Sequence, residues 1–327
     1  MSDIEKRAQA LDEARRVRLV KSGDIDVERY AKPSEISQQV KEASEWLLEI
    51  AQDYEQPDRS PKVYLPWDKT RDKFAFRPGE VTVYAGSNGG GKSLATGQIA
   101  LGLIQQKQKV CIASFEMKPK RTLGRMLRQH GGFNLEGIGF DHLEKATRAI
   151  VDFGIWADGY LWLYDQQGSV NARQVVAMTR YCAVELGIQH VFIDSLMKCV
   201  SAEDAYNEQK GFVDELCAVA RDHSIHVHLV HHIRKQNSEE TMPNKMDIKG
   251  TGSITDQVDN VFLWWRNKKK EHQLQANDTV DVLAPDAIMM CEKQRNGEDE
   301  SWFSMYYNRD SQQFTEIANS GAMQWSR

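Results

Sequence analysis

The stretch Val81-Thr82-Val83-Tyr84-Ala85-Gly86-Ser87-Asn88-Gly89-Gly90-Gly91-Lys92-Ser93 constrains the fold most, because an apolar β-type run passes directly into a glycine-rich loop. Its spacing fits G-x-x-x-x-G-K-[ST], with Gly86 and Gly91 as the fixed glycines, then Lys92 and Ser93. The glycines let bare backbone N–H groups of Gly86, Ser87, Asn88, Gly89, Gly90 and Gly91 curl around phosphate oxygens. Lys92 brings a point charge to the β/γ-phosphates, and Ser93 offers a hydroxyl to Mg²⁺. A helix starting at Lys92 would turn its positive dipole end toward the same anion. A flexible glycine-rich turn is the alternative, and the strand before and helical pattern after speak against it. By itself the loop indicates a nucleoside triphosphate and nothing more.

A chain of 327 residues can bury one large core with a small appendage. The net charge of −5 disfavours indiscriminate coating of nucleic acid or anionic membrane, so any nucleic-acid contact must come from local basic loops. Cys111, Cys182, Cys199, Cys217 and Cys291 are scattered singly, with no C-x-x-C pair, as suits a reducing compartment. No apolar run approaches the roughly 20 residues of a membrane span, and the polar start Met1-Ser2-Asp3-Ile4-Glu5 does not read as a signal peptide. A cytoplasmic protein without membrane partners is expected.

Residues 3–20 read as a charged, weakly amphipathic helix. After a break at Ser22-Gly23-Asp24, a second helix over 34–54 is predicted with Ser34 as N-cap and a seam of Ile36, Val40, Ala43, Leu47, Ile50 and Tyr54. Residues 55–61 read as a linker, so this helix could pack on its own domain or on a neighbouring subunit. The expected division is an N-terminal helical extension over 1–60 and a main domain over 61–327.

From about Val63, short apolar strands alternate with longer helical stretches, the pattern of an α/β fold with a mostly parallel sheet flanked by helices. Strands are predicted at 81–85, 110–115, 160–164, 190–194, 225–231, 260–265, 287–292 and 302–306. Helices are predicted after Lys92, then over 119–130, 141–157, 171–187 (Asn171 and Gly187 as caps) and 205–223. The closing strands, joined by turns such as Asn296-Gly297, should pair antiparallel.

Several residues could carry chemistry. Asp194 ends the apolar run Val191-Phe192-Ile193, at the sheet edge where a Mg²⁺-supporting carboxylate belongs. Glu116 ends the strand that follows the phosphate loop in sequence and could polarise an attacking water. His226 and His228 share one strand face, but they lack supporting ligands and read as core hydrogen-bonders rather than a metal site. His231 and His232, where that strand leaves the sheet, are better placed for a phosphate. The loop 234–249 mixes Arg234, Lys235, Lys245 and Lys249 with Glu239, Glu240 and Asp247, and charge alone does not make it a nucleic-acid site. Lys268-Lys269-Lys270 reads as a solvated turn. Lys293 and Arg295 are either surface charges or phosphate-seeking groups aimed at another subunit's nucleotide.

The phosphate loop, Ser114-Phe115-Glu116-Met117, Phe192-Ile193-Asp194-Ser195, Val230-His231-His232-Ile233-Arg234, Ile248-Lys249-Gly250-Thr251-Gly252-Ser253 and Lys293-Gln294-Arg295-Asn296-Gly297 occur in this order. As a set they resemble the RecA-like motor domain of DnaB-type replicative helicases, and especially the phage helicases and their mitochondrial relative Twinkle. The resemblance covers about residues 60–310. It implies ATP or a dNTP with Mg²⁺ as cofactors. It implies Glu116 as catalytic carboxylate, Asp194 as metal support and His232 as phosphate sensor. Lys249, Gly250 and Thr251 match the DNA-contacting loop, with Lys249 where the family usually has Arg. Lys293 and Arg295 match fingers inserted into the neighbouring site, and Arg266 and Tyr307 resemble residues that sandwich the base. The implied assembly is a hexameric ring moving 5′ to 3′ on single-stranded DNA, in a bacterial host's cytoplasm if phage-encoded. The family's helical collar or primase module has no counterpart in the first 60 residues, so primase, polymerase or single-strand-binding protein would be separate partners. The helix over 34–54 would then clasp the adjacent subunit. The competing readings are a RecA-like strand-exchange ATPase and a non-motor assembly protein locked by ATP.

Overall fold

The computed structural model describes residues 18–32, 43–55, 62–134, 143–166, 168, 170–200, 206–234, 238, 240–249 and 252–325. Its strands are β1 (Arg18–Val20), β2 (Val81–Gly86), β3 (Val110–Ser114), β4 (Leu161–Tyr164), β5 (His190–Asp194), β6 (His226–His232), β7 (Asn260–Arg266), β8 (Ala287–Gln294), β9 (Trp302–Asn308) and β10 (Gln313–Thr315). They form one sheet in the lateral order β1-β4-β3-β5-β6-β2-β7-β8-β9-β10. From β1 across to β7 neighbouring strands are parallel, and β8, β9 and β10 complete the sheet antiparallel.

Both faces of the central strands are covered, which explains their unbroken apolar sequences. Because successive residues point to opposite faces, β2 gives Val81, Val83 and Ala85 to one core layer and Tyr84 to the other. In the same way β5 divides Val191 and Ile193 from Phe192, and β7 divides Val261 and Leu263 from Phe262 and Trp264.

The helices are α1 (Val27–Tyr30), α2 (Ala43–Glu55), α3 (Lys92–Gln105), α4 (Pro119–Gly131), α5 (Leu143–Ala157), α6 (Ala172–Leu186), α7 (Tyr206–His223), α8 (Gly252–Gln257) and α9 (Lys268–Gln275). The first layer is closed by α6 and α7, through Val175, Val176, Phe212 and Leu216. On the second, α3, α4 and α5 contribute Ile99, Leu103, Met126, Phe153 and Trp156. Local sequence sets the ends of α6: the Asn171 side chain accepts from Arg173 N at 2.8 Å, and Gly187 takes the left-handed conformation at φ 61°.

Three expectations are corrected. Arg18–Val20 is an edge strand paired with β4, not the end of a helix; it satisfies the open edge of β4 and buries Val20. Residues 18–32 thus pack with the main domain, where Tyr30 stacks edge-on with Tyr181 at 5.5 Å. Lys268-Lys269-Lys270 opens α9 rather than forming a solvated turn, because Asn267 caps the helix by accepting from Lys270 N at 3.0 Å. Two strands are longer than expected: β6 runs on to His232 and β8 to Gln294, so that His232 and Lys293 belong to strands. The predicted helix over 34–54 is described from Ala43, with Leu47 and Ile50 exposed; Ser34, Ile36 and Val40 lie outside the described residues.

The histidines of β6 make core hydrogen bonds. His226 pairs with Thr82 Oγ1 at 2.8 Å and with the Arg77 carbonyl at 2.8 Å, while His228 pairs with Tyr84 at 3.1 Å and His190 at 3.0 Å. Phe76 sits edge-on over all three rings. Burial holds His226 down at about 4 and pushes His190 and His228 well below their ordinary range. An unfolded histidine titrates near 6.5, so as pH falls the unfolded chain takes up protons first. Stability present above that value is lost as pH drops toward about 4, by roughly 2 kcal/mol from His226 between pH 7 and pH 5, with His190 and His228 acting in the same direction. Urea unfolding at the two pH values should show this loss, and His226→Gln should lose roughly 2 kcal/mol less than the parent over the same interval.

Candidate nucleotide site

The phosphate loop joins the carboxyl end of β2 to the first turn of α3. Gly89 and Gly91 adopt φ 69° and 96°, which glycine alone takes without strain. At Gly86 a Cβ would fall 2.5 Å from the Trp264 carbonyl oxygen, so the loop can lie this close to β7 only without a side chain there.

Adjacent strand ends bring the expected residues to this loop. The Ser93 hydroxyl donates to Asp194 Oδ2 at 2.8 Å across the intervening strand β6. His232, at the end of β6, lies between them, with Nδ1 3.4 Å from Lys92 Nζ and Nε2 3.6 Å from Glu116 Oε1. Ser195 Oγ donates to the same Glu116 oxygen at 2.9 Å. On the other flank, Arg266 NH1 donates to the Gly89 carbonyl at 2.9 Å, and its Nε pairs with Glu271. Tyr307 closes this side, its ring 5.3 Å from Phe314, which in turn lies against Gly91.

The electrostatics follow from burial and from these partners. Burial lowers Lys92 to about 8 against the pull of Asp194 and Glu116. Lys92 Nζ donates to the carbonyls of Gly86 and Ser87, each at 2.8 Å. Burial raises Asp194, with the Ser93 hydrogen bond opposing it. Glu116 moves the other way: its contact with His232, then the Ser195 hydroxyl, hold it at about 2, so it is a carboxylate at every working pH. The Ser93 and Asp194 oxygens form the hard donor set that suits Mg²⁺. The residues present therefore fit a Mg²⁺-nucleotide.

Other expected residues lie elsewhere. His231 is not at the phosphate site; it is fully buried and its Nε2 pairs with the Lys249 carbonyl at 2.6 Å, because strand alternation turns it away from His232. Lys249 N also donates to the His232 carbonyl at 2.9 Å, tying the start of the expected DNA loop to β6. Gly250 and Thr251 lie outside the described residues. Lys293 and Arg295 sit at the opposite sheet edge. Lys293 Nζ donates to the carbonyls of Thr255 and Val258, each at 2.7 Å, and Arg295 pairs with Asp259 at 3.2 Å.

Sequence reading missed Ser195, which orients Glu116, and Arg125, which lies close enough to Asp194 and Tyr307 to interact with both. The spacing of Arg121, Arg125 and Arg128 along one stripe of α4 was the available signal. A cavity of about 1020 Å³ lies at the far sheet edge against Phe74, Phe76, His190 and His226, lined also by Gln294 and Asn296 beside Arg295 and away from the phosphate loop.

The model of the DnaB-like helicase C-terminal domain family matches residues 71–316, and the chain belongs to that family. The fold is similar to a solved ATPase domain, at TM-score 0.72 and 16% identity over 85% of this chain and 100% of that one. It is also similar to a DnaB-like replicative helicase described with its interactions with primase, at TM-score 0.65 and 15% identity over 85% of this chain and 67% of that one. This RecA-like ATPase domain binds nucleotide, as its family implies.

Nucleotide binding should move a proton onto Lys92. With the lysine at about 8, a triphosphate brought against it favours the cation, so binding at pH 8 should take up about half a proton and binding at pH 6.5 almost none from this group. Calorimetry in two buffers of different ionisation enthalpy measures the uptake, and Lys92→Met should abolish it.

Proposed function

We propose that this protein is a ring-forming replicative helicase, in which ATP or a dNTP is hydrolysed between subunits to drive 5′-to-3′ movement on single-stranded DNA. One observation carries the reading: Lys92, Ser93, Glu116, Asp194 and His232 gather at one sheet edge, while Lys293 and Arg295 lie at the other. The antiparallel course of β8 sets Gln294 level with Asn260, which pairs with Thr82 near the start of β2. The phosphate loop begins at the far end of β2, roughly 17 Å from Val81 at about 3.3 Å per residue. An arginine side chain does not bridge that distance, so a nucleotide contact by Arg295 requires another copy of the chain.

In this reading Glu116, ionised and held by Ser195 and His232, orients and polarises the attacking water. Ser93 and Asp194 would hold Mg²⁺, which would supply positive charge to offset that of the phosphates. Lys92 exchanges its carbonyl partners for phosphate oxygens. His232 reports on the γ-phosphate and is hydrogen-bonded through its backbone to Lys249, which offers a short route to the DNA loop of Lys249, Gly250 and Thr251. Arg266 and Tyr307 flank the base. Helix α2, with exposed Leu47 and Ile50, docks on the neighbouring subunit of a hexamer. Residues 61–327 form the motor, with residues 18–32 packed onto its sheet, and helix α2 is the assembly arm. A separate primase is a fitting partner, by analogy with the DnaB-like helicase noted above.

A strand-exchange ATPase would share the half-site but form filaments and leave forks intact, and a non-motor assembly protein would show DNA-stimulated turnover near zero. Forked duplexes with 5′ or 3′ tails, tested beside native mass measurement with and without ATP, separate the three. Unwinding from the 5′-tailed fork by a hexamer is the expected result. Within assembled rings, Arg295→Ala should lower ATP turnover by about 10³-fold or more while leaving nucleotide affinity nearly unchanged. Glu116→Gln should lower it by about 10²- to 10⁴-fold. Unchanged turnover in Arg295→Ala rings would overturn the shared site.

A further inference from the structure

Two walls of the nucleotide site, Arg266 and Tyr307, come from strands that do not touch: β7 and β9 are separated by β8. What joins them is the connection 267–286, built around α9. Lys270 is buried although it belongs to a run of three lysines, and its Nζ pairs with Asp286 Oδ1 at 2.8 Å. The other oxygen of that carboxylate accepts from the backbone N–H of Tyr307 at 2.8 Å. Asn267 fastens the same junction: its N–H donates to the Asp286 carbonyl at 2.9 Å and its Nδ2 to the Pro285 carbonyl at 3.0 Å. One residue beyond Lys270, Glu271 grips Arg266 Nε, leaving Arg266 NH1 to donate to Gly89 in the phosphate loop.

We infer that Glu271 and Asp286 are positioning residues for the nucleotide base, together forming a bracket, one arm on α9 and the other just before β8, that fixes the separation and orientation of Arg266 and Tyr307. This rests on the reading of those two residues as the base-flanking pair. The chemistry accounts for each part. A guanidinium held at Nε by a carboxylate and at NH1 by a carbonyl cannot rotate about its long stem, so its planar face is presented without the entropy loss of ordering it at binding. Asp286 acts on Tyr307 through the main chain, so it sets where the ring begins without contacting it. The lysine between them is the strut. A buried ammonium is tolerated there because a carboxylate and the Val282 and Ala284 carbonyls surround it.

Glu271 and Asp286 hold Arg266 and the backbone of Tyr307, and their hydrogen bonds reach none of Lys92, Ser93, Glu116 or Asp194. Loss of the bracket should therefore weaken nucleotide binding and leave the hydrolytic step intact. The test uses the full-length protein and steady-state hydrolysis of ATP and of dTTP, with Glu271→Gln, Asp286→Asn, Arg266→Ala and Tyr307→Ala. Glu271→Gln should raise KM about 5- to 20-fold with kcat within twofold, and the ratio of KM values for the two nucleotides should move toward one. Combining it with Arg266→Ala should add little beyond Arg266→Ala alone, since the carboxylate acts through that arginine. If Arg266→Ala and Tyr307→Ala both leave KM unchanged, the base-flanking reading itself fails. If they raise KM while Glu271→Gln does not, or if Glu271→Gln lowers kcat instead, the bracket is overturned. Should Asp286→Asn fail to fold because Lys270 loses its counter-ion, the partly exposed Glu271→Gln still decides the matter.

Discussion

The hydrogen bond from Ser93 to Asp194 depends on a strand order that no local rule supplies, and the rest of the site is arranged around it. With β5, β6 and β2 side by side, the ends of three parallel strands deliver Asp194, His232 and Gly86 in that lateral order. The neighbours on either side, β3 and β7, add Glu116 and Arg266. Every strand must end at the same edge for this to work, and a parallel sheet guarantees it. A register slip of one residue in β6 would carry Val227 and Leu229 out of their core layer and turn the histidines of the opposite face into it.

Burial and charge are balanced differently at each position along that edge. Lys92 and Asp194 are both pushed toward neutrality by burial, and each is drawn back by its partners. Their energies are therefore sensitive to any charge that enters the site. Glu116 is more exposed and is drawn the opposite way by His232 and Ser195, so it needs no further ion to stay ionised. The same fold thus holds one carboxylate poised and another fixed, through position in the sheet rather than through residue type.

The opposite edge has its own organisation. Asp259 accepts from the N–H of Val81 at 2.9 Å and pairs with Arg295, while Lys293 caps the carbonyls that end α8. These contacts anchor the two cations on the side of the sheet away from their own phosphate loop. A molecule with a loop at one edge and anchored cations at the other is suited to head-to-tail association, which gives a ring where the rotation closes and a filament where it does not.

Much of this was legible in the residues. Strand-then-glycine spacing located the loop, apolar runs of both parities announced a doubly covered sheet, and Asn171, Gly187 and Pro119 marked helix ends through their own backbone chemistry. Other features were illegible for physical reasons. Arg18–Val20 is a strand because β4 presents an edge to it, a demand created by a residue over a hundred positions away. Lys270 is buried because Asp286 meets it from the end of the same connection, just before β8, and a run of three lysines carries no sign of that. His231 and His232 are alike in sequence, and strand alternation alone sends one to the core and one to the phosphates. The sequence by itself therefore determined the chemistry available and the local elements that carry it, because those depend on spacing and backbone preference. The tertiary structure decided which residues share an edge and which are separated by the width of the sheet, because that depends on strand order, and strand order is set by long-range packing.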